Sequence, residues 1–104
     1  VGLGFATGRI RIARRPGELR DSCSGDILVT SETTPEWTPH LERVGAVITD
    51  HGDGSCHAAR VARELGIPAV VGTSTATTVL EDGMMVTVDA TRGWVLPVDA
   101  TPAD

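Results

Sequence analysis

Cysteine is scarce in this chain. Cys23 and Cys56 are the two in 104 residues, enough for one disulfide at most and spaced like neither a zinc ribbon nor a CxxC redox pair. A reducing cytoplasm is the compartment this suggests. Aromatics number three, Phe5, Trp37 and Trp94, and the net charge is −5. Without a basic surface or stacking platforms, nucleic acid is not an expected partner. Long hydrophobic runs are missing too: stretches such as Ala69-Val70-Val71 fall far short of the ~20 residues a bilayer span needs. No charged start followed by an apolar core and a cleavage site is visible, so neither membrane insertion nor secretion is expected. The first residue is Val1 rather than methionine, which reads as a processed chain or a piece of a longer polypeptide.

What is present fits one domain with a modest core, expected over residues 1–98 with a frayed tail at 99–104. Arg9-Ile10-Arg11-Ile12-Ala13 alternates like a half-buried strand, and Pro16-Gly17 opens a polar stretch read as loop through Gly25. Residues 26–30 and 45–49 are β-branched apolar runs bounded by turn formers and read as buried strands. Between them, Thr34-Pro35 and Thr38-Pro39 set a hydroxyl before a proline, the usual start of a helical turn, and a short helix is predicted over 39–44. Further strands are expected at 69–72, 85–89 and 94–98, the last two as a hairpin around Thr91-Arg92-Gly93, with a short helix at 75–80. Strands outnumber helices and helices sit between strands, which gives a mixed α/β class without deciding topology. The arginines at 9, 11, 14 and 15 read as a solvated strand face, His40 as a surface position, and Trp37 and Trp94 as packing residues.

The chemistry concentrates between Asp50 and Gly72. Ala58, Val61, Ala62 and Leu65 recur at i, i+3, i+4 and i+7, the apolar stripe of a helix, and Gly66 with Pro68 stops it. The helix is about nine residues, or about 13 Å, long. His57 falls at its start, where free backbone N–H groups and the positive end of the helix dipole favour an anion. A neutral imidazole is a competent nucleophile, so a phosphoryl group carried there would meet ready donors. The 100° per residue rotation keeps His57 at the edge of the stripe and puts Arg60 and Glu64 on the exposed side. Arg60 can reach a phosphate with its planar fork, or pair with Glu64. On these residues alone a histidine at a helix start is usually structural, a cap or a polar surface residue. A metal site from His51, Asp53, Cys56 and His57 is not expected, because adjacent Cys56 and His57 diverge at a helix start, and a Cys56–His57 dyad fails for the same reason.

Ser55-Cys56-His57-Ala58-Ala59, followed by Ala62-Arg63-Glu64-Leu65-Gly66-Ile67-Pro68-Ala69-Val70-Val71-Gly72, closely resembles the signature of the mobile domain of phosphoenolpyruvate-utilising enzymes, the family of phosphoenolpyruvate synthase and pyruvate phosphate dikinase. The likeness extends through Gly25 to Thr30, Thr33, Pro35 and Trp37, and through Asp82-Gly83, Val86 to Asp89 and Gly93. It implies a swivelling three-layer β/β/α phosphohistidine domain. In that resemblance His57 is the catalytic residue that takes up and gives away the phosphoryl group, with Gly54, Ser55 and Cys56 of the same stretch against the phosphate; Arg60 joins these phosphate contacts from its place on the helix alone. It also implies that ATP and Mg²⁺ belong to partner domains, none being held here, with one partner binding ATP and another phosphoenolpyruvate, pyruvate or a different acceptor. Three positions depart from the pattern: His51 where arginine is common, Asp53 where a second glycine follows Gly52, and Arg60 where the family has an apolar residue. These departures motivate an alternative, a degenerate swivelling domain acting as an interaction or regulatory module.

Overall fold

The eight residues of β1, Phe5–Ile12, divide between two ladders, and this decides the architecture. A computed structural model describes residues 4–19, 25–52 and 56–97. Residues 5–9 of β1 pair antiparallel with β5 (Met85–Asp89), while Ile10, Arg11 and Ile12 pair in parallel with Ile27, Leu28 and Val29 of β2 (Ile27–Thr30). β3 (Ala46–Thr49) and β4 (Ala69–Val70) continue the parallel half, and β6 (Trp94–Pro97) closes the antiparallel half, giving the order β4-β3-β2-β1-β5-β6. The hairpin expected around 91–93 is the β5–β6 connection.

Every residue of β2 and β3 is buried, as strands covered on both faces must be. Alternate residues serve two cores. On one side Leu28 and Val47 meet Trp37, Leu41 of α1 (Thr38–Leu41) and Ala58, Val61 and Ala62 of α2 (His57–Leu65). On the other, Ile27, Val29, Ala46 and Ile48 pack against Val86 and Val88 of β5 and Ala76 of α3 (Ala76–Val79). β5 therefore belongs to the same sheet as β2 and β3 and also lies face to face with them, so the sheet is curled. Helix, parallel strands and antiparallel strands form the three layers expected.

Several local expectations shift. β1 starts at Phe5 rather than Arg9, because the ladder to β5 extends a segment with no alternation of its own. The stretch after Pro16, read as loop, contains a 3₁₀ turn at Pro16–Leu19 whose Leu19 is fully buried. The helix predicted over 39–44 is instead a 3₁₀ turn, Pro35–Trp37, running into the four-residue α1. Thr34 precedes that turn but makes no side-chain cap, and the hydroxyl of Thr38 is turned elsewhere. Trp94 is 49% exposed rather than packed, since it lies on the outward face of edge strand β6, while Trp37 is buried. Arg14 and Arg15 lie beyond the end of β1.

Asp50, just past β3, is buried, and its carboxylate accepts the Thr77 N–H at 2.9 Å and the Thr77 hydroxyl at 2.5 Å. Thr73 adds a second anchor, its hydroxyl accepting the Ala76 N–H at 3.1 Å. Together they hold the start of α3, a helix too short to be stable by itself. Asp50→Ala leaves the Thr77 N–H and hydroxyl without this partner, and a loss of about 2 kcal/mol is expected. Urea denaturation of the variant against the parent chain checks it.

Candidate functional site

The parallel strands deliver their C-terminal ends to one edge, the usual place for a site in such sheets. Backbone bonds prolong the ladders past the strands: Asp50 N–H donates to Thr30 C=O, His51 N–H to Ser31 C=O, Thr73 N–H to Thr49 C=O and Ser74 N–H to Asp50 C=O. The connections at 31–34, 50–52 and 72–74 are thereby drawn side by side. Gly52 and Gly72 touch there: a Cβ on Gly72 would come 2.7 Å from the Gly52 carbonyl oxygen, and one on Gly52 would come 2.8 Å from Cys56 Sγ.

α2 leaves this edge with His57 as its first residue, as predicted, and ends at Gly66, whose φ of 74° closes the last turn. Its first intrahelical bond runs from Arg60 N–H to Cys56 C=O at 3.0 Å. The amides of His57, Ala58 and Ala59 therefore lie ahead of the helix's own ladder. Cys56 occupies the cap position with extended backbone and gives no side-chain cap. It is a free thiol, half-buried, packed against the helix-side core and against Gly52.

His57 itself is half-buried. Thr33 Oγ1 lies 2.8 Å from Nδ1, and Thr38 Oγ1 lies 3.4 Å from Nε2. The first is a full hydrogen bond and the second a long contact. Thr33 is 7% exposed and so holds its hydroxyl in place from the connection after β2. With Nδ1 anchored on Thr33, Nε2 lies on the far edge of the ring, beside the Thr38 hydroxyl. Thr33 entered the sequence reading only within the family likeness and Thr38 as the start of a helical turn; neither signalled a contact with a histidine 24 or 19 positions away. Thr33→Val removes the Nδ1 anchor, and phosphoryl uptake at His57 is expected to slow by about tenfold to a hundredfold, the scale of losing one orienting contact. Thr33→Ser should recover most of it, both measured as the rate of phosphate incorporation.

Arg60 is exposed one turn along from His57, and its side chain makes no ion pair or hydrogen bond among the described residues. Glu64 is exposed as well. Gly54 and Ser55, together with Asp53, lie outside the described residues. Among the described residues no three His, Cys, Asp or Glu side chains converge on a point that suits a metal. Asp50, at the head of the signature stretch, is committed to Thr77. A cleft of about 640 Å³ opens at the ends of β1 and β2, lined by Arg14, Ser31, Glu32, Thr34, Trp37 and Thr77 among others, and His57 does not line it. The candidate nucleophile thus stands half-buried at a helix start, outside this cleft.

The structure is a curled β/β/α domain with one anchored histidine at a helix N-terminus. Residues 23–93 match the family described as PEP-utilising enzyme, mobile domain. The chain is 51% identical over 92 residues to the probable phosphoenolpyruvate synthase of Archaeoglobus fulgidus, covering 88% of this chain and 12% of that protein. It is 52% identical over 93 residues to the phosphoenolpyruvate synthase of Aeropyrum pernix, with coverage of 88% and 11%. It is also 43% identical over 93 residues to that of Neisseria meningitidis serogroup B, with coverage of 89% and 12%. Among solved structures, the solution structure of Enzyme I (nEIt) superposes with a TM-score of 0.67 at 33% identity, over 76% of this chain and 33% of that one. The holo-form of Thermococcus kodakaraensis aconitase X superposes at 0.73 with 22% identity over 94% and 93%, a likeness of fold alone. The chain belongs to the mobile-domain family of phosphoenolpyruvate-utilising enzymes, and it spans about one-eighth of the length of the curated relatives it matches.

Proposed function

We propose that this domain relays a phosphoryl group through Nε2 of His57 between two partner sites, as part of an enzyme of the phosphoenolpyruvate synthase or pyruvate phosphate dikinase type. The observation that carries the reading is the posture of His57: displayed at the start of α2, tied by Nδ1 to Thr33, and outside the cleft. In the tautomer whose Nδ1–H donates to the Thr33 hydroxyl, the lone pair falls on Nε2. Attack by that nitrogen on the phosphorus forms the N–P bond as the bond from phosphorus to the donor's leaving oxygen breaks, and the second transfer reverses the sense of the exchange. The phosphate would be met by the early amides of α2, by Cys56 through its backbone, by Arg60, and by Gly54 and Ser55 of the preceding loop.

The remaining parts of the reaction lie on partners. A nucleotide-binding domain supplies ATP with Mg²⁺, and a second supplies phosphoenolpyruvate, pyruvate or another acceptor, with positioning and charge neutralisation as their contribution. Such a relay works in the cytoplasm, where nucleotide is present, and no helix among the described residues is long and apolar enough to cross a membrane. The test is intact-mass measurement after exposure to the complete enzyme with ATP or with phosphoenolpyruvate. One phosphate on His57, lost on brief acid treatment, is the expected result. No incorporation from either donor, or an acid-stable phosphate on Ser55, overturns the reading.

A further inference from the structure

The antiparallel half of the sheet has an outward face that nothing in the described chain covers. Register places Phe5, Asp89 and Trp94 in one row across β1, β5 and β6, Thr7, Thr87 and Leu96 in the next, and Arg9 beside Met85 after that. The hydroxyls of Thr7 and Thr87, 2.9 Å apart, show that these rows share a side. Phe5 is 72% exposed, Trp94 49% and Leu96 46%. Two of the chain's three aromatics thus stand in solvent on one face, while the inward neighbours Val86, Val88, Ala6 and Val95 fill the core beneath. An apolar group of this kind on a sheet face marks a contact surface.

We propose that this face docks another domain of the phosphoenolpyruvate-utilising enzyme, one that offers an apolar centre with an acidic rim. The charges fix the chemistry of the partner. Asp89, the carboxylate of the face, is buried and taken up by Arg92, whose N–H it accepts at 3.2 Å and whose guanidinium lies 3.9 Å away. Arg92 also lies over the Trp94 ring at 5.2 Å, and Arg9 has no ion-pair partner among the described residues. Among the described residues the accessible charges here are therefore cationic, on a chain whose net charge is −5. A second copy would bring the same cations around both sides of the contact, whereas an acidic rim complements them. The match covers 12% of the length of the Archaeoglobus relative, and the proposed partner surface would lie in the remainder of such a protein.

α2 packs on the opposite side of the parallel strands, so docking here leaves His57 free to reach a partner site. The face would serve as the seat from which the domain swings. The inference holds whether or not His57 carries phosphate, and measuring His57 phosphate on the same samples separates the two claims.

Hydroxyl-radical footprinting of the full-length enzyme tests it, with buried Trp37 as internal standard. Covered, Trp94 should oxidise about as slowly as Trp37, and Leu96→Glu or Arg9→Glu should raise its rate severalfold, while Arg9→Lys should not. Trp94 oxidising about tenfold faster than Trp37 in the unaltered enzyme, in line with exposures of 49% and 4%, overturns the proposal. Protection that disappears on dilution to the monomer overturns it in favour of a second copy.

Discussion

His57→Gln is expected to lose phosphoryl uptake entirely within the limits of intact-mass detection, a fall of at least about a thousandfold, as when a covalent nucleophile is removed. Glutamine suits the comparison because it is a good helix residue and its amide can still meet the Thr33 hydroxyl. The ring it replaces is half-buried at the first position of α2, outside the two cores. Stability should therefore change by under about 1 kcal/mol, as for most changes away from packed sites. The variant separates chemistry from folding: an unaltered urea midpoint with no acid-labile phosphate is the expected pair of results. Persisting acid-labile phosphate would place the carrier on another residue, His51 being a nearby one in sequence.

Gly52→Ala should damage both stability and transfer, through the backbone. Gly52 has φ of 125°, a region closed to side chains at low cost, and an added Cβ would lie 2.8 Å from Cys56 Sγ and 3.2 Å from Cys56 Cβ. On its far side the Gly52 carbonyl already stands against Gly72. The new methyl has nowhere to go without moving Cys56, the cap residue immediately before His57. Backbone strain of about 1–3 kcal/mol plus the displaced contact gives an expected loss of about 2–4 kcal/mol. Phosphate incorporation should fall further than stability alone accounts for, since residual folded protein would hold His57 out of register. Denaturation midpoints and incorporation rates on the same preparation check this, and equal, small losses in both would show that the loop relaxes. Of the two glycines common at this point in the family, the chain keeps the one that contact with Cys56 requires and has Asp53 in place of the other.

The parts that were legible are those governed by neighbours in sequence. The stripe Ala58, Val61, Ala62 and Leu65 specified α2 from His57 to Gly66 because a 3.6-residue period is a local property. The apolar runs at 26–30 and 45–49 were recognisable as buried strands for the same reason, and the likeness around His57 supplied the layer architecture. Illegible were the first residues of β1, whose strand character comes from the ladder to β5 eighty positions away, and the exposure of Trp94, which depends on which face of β6 turns outward. Thr33 and Thr38 look like turn and helix-start residues until the fold brings them to the two ring nitrogens. Asp50 looked like part of the chemical stretch and proved to anchor α3.

By itself, then, the sequence determined that a histidine stands at the start of a short amphipathic helix within the signature of a phosphoryl-carrying family, because helix period, caps and motif are all encoded within a few tens of residues. Tertiary structure alone decided which hydroxyl grips the ring, that Gly52, Gly72 and Cys56 interlock behind it, and that an apolar face with cationic charges lies on the layer away from it. Those facts depend on a sheet that curls so that one strand pairs with both halves, and contacts between distant segments follow from that closure rather than from any local pattern.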